Sequence, residues 1–262
     1  MVSRLKSTHP AFIALLFITC VAGTATANAA SFIVSADGGL FTTSVTSTSG
    51  AFDGLQGLGF SSSLDEEFVE GDAFASGDGN VDFMFVNTMP PPGSPGASVF
   101  YDMLVSSVGD GSADIFPGSL APVSTAEVFV ESVGLLVLEN TSADDTYEIT
   151  YDVFAFLSAS VFGAPGEPSD AFADAFLELR VDGSLVHSFS IFADLLFGPP
   201  DDFIDIMEEF TVTLGPSESV EIELVTGVAG FATVVPVPAA LPLMGSALLG
   251  LFGFARRRAS RA

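Results

Sequence analysis

The chain has 262 residues, with 33 acidic side chains, 7 basic ones and 2 histidines, and a net charge of -26. Arg180 is the only base between Lys6 and Arg256, so residues 30–235 set 33 acids against one base, a net of -32. Such a surface repels phosphate backbones and excludes nucleic-acid binding through the domain's own charge. The one cysteine, Cys20, excludes a disulfide scaffold or a multi-cysteine metal site.

Residues 1–29 read as a secretory signal peptide. Arg4 and Lys6 make a short basic start, and Ala11 to Gly23 is an uncharged apolar run interrupted only by Thr19 and Cys20. Ala27-Asn28-Ala29 fits the small-x-small cleavage pattern, which puts the mature start at Ala30 and signal peptidase among the partners. The apolar run is about half the roughly 20 residues a bilayer span needs. Phe17-Ile18-Thr19 lacks the small residue that a lipoprotein site needs before Cys20, so the mature chain is expected to carry no cysteine.

Residues 30–234 read as one extracytoplasmic all-β domain, an antiparallel sandwich or jelly roll. Weaker strands are expected at Ser31 to Ala36, Leu40 to Thr46, Asp82 to Asn87, Ser98 to Ser106 and Glu127 to Val133. The glycine- and serine-rich section from Ser35 to Gly79 is poorly patterned, and long loops are expected in it. Leu135 to Asn140 precedes a polar turn at Thr141 to Asp145, after which Tyr147, Ile149, Tyr151, Val153, Leu157 and Val161 alternate with polar residues. Ala175, Leu177, Leu179 and Val181 form one face of the next strand, and Asp182-Gly183 is a favoured hairpin turn. The returning strand carries Leu185, His187, Phe189 and Ile191 on one side. Asp201 to Phe210, behind Pro199 and Pro200, is expected to form one or two helical turns. Phe210, Val212 and Leu214 then alternate, Gly215 to Glu218 turns the chain, and Val220, Ile222 and Leu224 alternate again. The core leans on phenylalanine, with 26 Phe, 3 Tyr and no Trp. Buried Phe needs no hydrogen-bond partner.

Asp78, Asn80 and Asp82 have the D-x-N-x-D spacing that opens a calcium loop. Phe83 and Met89 stand where the turn glycine and the bidentate glutamate belong, so a plain turn before a strand is the favoured reading. Asp110 to Asp114, Asp144-Asp145 and Asp201-Asp202 are further acidic loops whose oxygens suit Ca2+. The charge as a whole has two readings: attraction of divalent ions that bridge to anionic polysaccharide, or adaptation to solubility and salt. No catalytic residue is assigned. His187, the only histidine of the predicted mature domain, reads as a packed or edge residue, and no G-x-S-x-G, H-E-x-x-H or Walker loop occurs. Asn140-Thr141-Ser142 matches a glycosylation sequon but reads as a strand-end turn.

Residues 235–262 form a second address label. Val235, Pro236, Val237, Pro238 and Ala239 open it, residues 239–255 are an apolar stretch, and Arg256, Arg257 and Arg258 close it as a stop-transfer cluster. Seventeen residues span about 25 Å as a helix, near the lower limit for a membrane. The positive-inside rule keeps the arginines cytoplasmic and puts residues 30–235 outside. This order of Pro-x-Pro, apolar helix and Arg cluster resembles the PEP-CTERM sorting signal, in its VPxPA-type variant. The resemblance covers about the last 28 residues. It implies processing by an exosortase, with transient residence in the inner membrane and delivery to the cell surface or an exopolysaccharide matrix. Three functions are therefore carried forward: a non-enzymatic structural or adhesive surface protein; a calcium- or polysaccharide-binding module; and a hydrolase of extracellular glycans, which needs only a pair of carboxylates.

Overall fold

A computed structural model describes residues 28–88, 98–115, 123–163 and 169–234. Residues 1–27 and 235–262, which hold the expected signal peptide and sorting signal, lie outside them. Ten strands follow in order: β1 (Asn28–Ser47), β2 (Leu55–Glu70), β3 (Ala73–Thr88), β4 (Ser98–Ile115), β5 (Ser124–Asn140), β6 (Tyr147–Gly163), β7 (Ser169–Val181), β8 (Ser184–Asp194), β9 (Asp201–Leu214) and β10 (Ser219–Val234).

The strands make two five-stranded antiparallel sheets, ordered β3-β4-β1-β6-β9 and β2-β5-β10-β7-β8. They stack as a β-sandwich-like pair: β4 faces β5, β1 faces β10, and β6 faces β7. Period two places one side of each strand in the shared core. Tyr147, Ile149, Tyr151, Val153, Leu157 and Val161 are all buried, as are Ala175, Leu177 and Leu179 on β7 and Val220, Ile222 and Leu224 on β10. Asp182 and Gly183 take positive φ (49° and 73°), as the tight β7–β8 hairpin requires.

Several expectations are corrected. Asp201–Leu214 is a strand, not a helix; it pairs with β6 from Ser160↔Asp201 to Tyr147↔Leu214. Its residues alternate between half-buried Ile204, Ile206 and Phe210 and exposed Phe203 and Met207, so tertiary pairing overrides the helix-like start after two prolines. The section from Ser35 to Gly79 is mostly strand. Its glycines are packing sites: Gly57 lies under the Tyr101 ring and Gly59 under the Phe83 ring. Ser31 to Ala36 and Leu40 to Thr46 are one strand, because Gly38 and Gly39 make room for Leu177 and Phe154. Asp110 to Asp114 lies within β4, and Asp201-Asp202 begins β9. The Gly215 to Glu218 turn carries the chain from one sheet to the other, so β9 and β10 do not pair.

The strand directions place Asn28 and Val234 at the same end of the stack. Ala30 pairs with Gly163 near the end of β6, and Val234 pairs with Ser169 at the start of β7. The opposite end carries the 48–54, 141–146, 182–183 and 215–218 connections.

Candidate functional site

The outer face of β2-β5-β10-β7-β8 carries alternating rings and carboxylates. One cross-strand row runs Phe68, Glu127, Phe231, Phe172 and Asp194. The next runs Glu66, Phe129, Ala229, Asp174 and Phe192. Each ring thus has a carboxylate on a neighbouring strand or in the neighbouring row. Small residues on β10 lower the centre: Gly227 lies under the Phe176 ring, and Ala229 follows it. A groove of about 790 Å3 results, lined from β2, β5, β10 and β7. Phe231 packs on Phe172 with ring centroids 5.6 Å apart, and Phe172 on Phe192 at 6.3 Å.

The charges of this face are unevenly matched. Near one end Arg180 sits between Glu178 and Glu223, with its Nη1 donating to Glu223 Oε1 at 3.1 Å. Near the other end Glu66, Glu127, Glu131 and Asp174 have no ion-pair partner among the described residues. Burial among its neighbours pushes the Asp174 carboxyl above the ordinary aspartate range.

The residues singled out from sequence fall elsewhere. Asp78, Asn80 and Asp82 are on the exposed side of β3, within an extended strand rather than a loop. Such a strand sets alternate residues about 6.5–7 Å apart, whereas a calcium loop curls its ligands around one ion. Asn80 Nδ2 instead donates to Asp82 Oδ2 at 3.0 Å. Among the described residues no group of three or more His, Cys, Asp or Glu side chains is placed to hold a metal ion. Ala29 and Ala30 of the cleavage pattern lie in β1, and Ala30 is buried. Ala27, Val235 to Ala239 and Arg256 to Arg258 lie outside the described residues.

His187 does not share a side with Leu185. A register shift opposite Leu179 and Arg180 sets His187 across from Leu179 and Leu185 across from Arg180. Leu185 is exposed, while His187 Nδ1 lies 2.7 Å from Glu208 Oε2 and the imidazole stacks on Phe189. This pair joins β8 to β9 across one open side of the stack. On the other side the Gly77 N–H of edge strand β3 donates to Glu67 Oε1 of β2 at 2.8 Å.

Asn140 is fully buried, so the sequon has no accessible amide. Its Nδ2 donates to the carbonyls of Asp145 (2.7 Å), Gly215 (2.7 Å) and Leu214 (3.3 Å), and its Oδ1 accepts from Ser142 N (2.9 Å). Sequence reasoning missed a second polar joint. Beyond Leu40, β1 bulges away from β4; Thr42 N donates to Asp102 Oδ1 at 2.8 Å and Tyr101 N to Thr42 Oγ1 at 2.9 Å. A cavity of about 220 Å3 opens there, lined by Thr42, Phe52, Val99 and Phe100 among others. Burial pushes the neighbouring Tyr151 phenol far above its ordinary range. Ser107, Ser132 and Thr226 share buried hydroxyl contacts between the sheets, with no base among their hydrogen-bond partners.

No protein-family model matches the chain, and no curated protein sequence matches it.

Proposed function

We propose that this chain is a non-enzymatic exported surface protein. Signal peptidase removes residues 1–29. The apolar stretch 239–255 holds the chain in the inner membrane, and an exosortase acting at Val235 to Ala239 passes it to the cell surface or an exopolysaccharide matrix. There the β module has a structural or adhesive role. The observation that carries this reading is the shared position of Asn28 and Val234 at one end of the stack. A leader and a membrane handle leaving from one end keep that end towards the bilayer and leave both outer faces and the far loops free for contact. Those faces are apolar enough to adhere: Phe203 of β9 is 71% exposed on one sheet and Phe60 of β2 is 55% exposed on the other. We also read the topology as a jelly roll. The order β4-β1-β6-β9 over β5-β10-β7-β8 fits a roll whose chain is opened between β10 and β1, with β2 and β3 added along one side.

Mass spectrometry of the cell-surface fraction tests the route. Peptides starting at Ala30, with none extending through Arg258, are expected. Mature surface protein that retains Arg256 to Arg258 would remove processing from the account.

A second reading is favoured by the alternating rings and carboxylates on the outer face of β2-β5-β10-β7-β8: the module binds polysaccharide. Apolar side chains that shape a groove, with a few polar groups set between them, are the usual make-up of a ligand site. Retardation of the protein in gels cast with polysaccharide is expected, and unchanged mobility in all of them speaks against this reading.

A further inference from the structure

We propose that the groove over β2, β5, β10 and β7 takes an amine-bearing polysaccharide, a chain of amino sugars with free ammonium groups. The proposal rests on the polysaccharide-binding reading and narrows it to one charge class.

Three observations carry it. First, Glu66 and Glu127 line the groove and Glu131 and Asp174 lie on the same sheet face; none of the four has a cationic partner, and no basic residue lines the groove, among the described residues. An anionic glycan would be repelled, and a cation would be drawn in. Second, the same sheet face already shows how it holds a cation, since Arg180 is gripped between Glu178 and Glu223. The groove repeats that supply of carboxylates and leaves it unanswered. Third, over β2 and β5 the carboxylates are set among the rings, with Glu127 between Phe68 and Phe231 and Glu66 beside Phe129, while around β7 the rings adjoin as the stacked Phe231, Phe172 and Phe192. An amphipathic basic helix would need a continuous apolar stripe with charge at its rim. A checkerboard suits a ligand in which every unit has an apolar face and a charged edge, as an amino sugar does. Neighbouring strands lie about 4.8 Å apart, close to the length of one sugar unit, so successive units meet successive strands.

The test is calorimetric titration of the mature chain from Ala30, reconstituted in uncharged lipid nanodiscs. Four probes are compared: a deacetylated glucosamine oligomer, its fully N-acetylated counterpart, an oligogalacturonate and an oligolysine of equal length. The deacetylated oligomer is expected to bind best and to weaken as salt is raised. Phe231→Ala and Glu127→Gln are each expected to weaken it roughly tenfold, as for a central contact residue, while Phe203→Ala on the opposite sheet leaves it unchanged. Thermal melts of each variant establish that the fold is retained. Oligolysine binding equally well, or affinity that ignores both groove variants, would mean diffuse charge attraction and would overturn the proposal. Equal binding of the N-acetylated oligomer or the galacturonate would overturn the amine requirement and leave the polysaccharide reading standing. No binding by any of the three saccharides would overturn both.

Discussion

The Asn140 carboxamide ties the strand end of β5 to the 141–146 and 215–218 connections through three carbonyls. Asn140→Ala leaves those acceptors without their donor in a buried site. A loss of about 2–4 kcal/mol is expected, read as a fall in denaturant midpoint at unchanged slope. Two aspartates respond to pH in opposite directions. Hydroxyls of Ser49, Thr48 and Ser142 hold the Asp145 carboxyl below its ordinary range. Its contribution to stability is therefore present above the unfolded-state pKa and is lost as pH falls through the lowered native value. Asp145→Ala should melt earlier than the parent at neutral pH, and the gap should close in acid. Asp174 is raised by burial, so its ionised form is disfavoured in the fold at neutral pH, and that penalty is relieved as pH falls through the raised native value. Asp174→Asn should raise the melting temperature by about 1–3 °C at pH 7, and the gain should vanish at low pH. A gain that persists there would place its cause outside the carboxylate.

The elements were legible wherever a strand has one clearly apolar side. β6, β7 and β10 carry Tyr, Ile, Leu or Val on alternate residues at Tyr147 to Val153, Leu177 to Val181 and Val220 to Leu224, and the sequence marks them directly. β2 escaped because its inward positions include Gly57 and Gly59, which pack by receiving rings from β4 and β3. A pattern search sees those glycines as punctuation. β9 escaped because its edge position is rich in acid, and only pairing with β6 holds it extended. The cost of filling such a receiving site is measurable. A Cβ on Gly230 would strike the Phe32 ring of the facing sheet. Gly230→Ala is expected to destabilise by about 1–3 kcal/mol, as overpacking does, and equilibrium unfolding checks it. The two open sides depend on side chains that no local pattern announces. Glu67 covers an edge N–H of β3, and His187 meets Glu208 between β8 and β9. Inward-turned charge of this kind protects free edges from pairing with other chains.

At the scale of the whole molecule, the candidate groove was hidden for a physical reason. Glu127, Phe129 and Glu131 alternate visibly within β5, but a checkerboard exists only once β2 and β10 lie on either side of β5. Neighbour order is a property of the sheet, and turns of similar sequence either pair adjacent strands, as at Asp182-Gly183, or pass the chain to the other sheet, as at Gly215 to Glu218. The proposed export route carries an order of events. Ala30 is 1% exposed within β1, so on that route signal peptidase reaches the Ala29–Ala30 bond before the strand joins its sheet. Asn28 and Ala29 pair with Ile115 and Asp114 in the same strand, so folding ahead of cleavage should bury the bond. Purified signal peptidase is therefore expected to cut the denatured uncleaved chain and to spare the folded one, and equal cutting of both would contradict this order.

A ten-strand module whose first strand starts and whose last strand stops at one pole, on facing strands, keeps no geometric record of which strand was made first. Bridging Val234 to Asn28 with a short flexible loop, and reopening the chain between Asp182 and Gly183, should regenerate the same ten-strand stack from a rearranged gene.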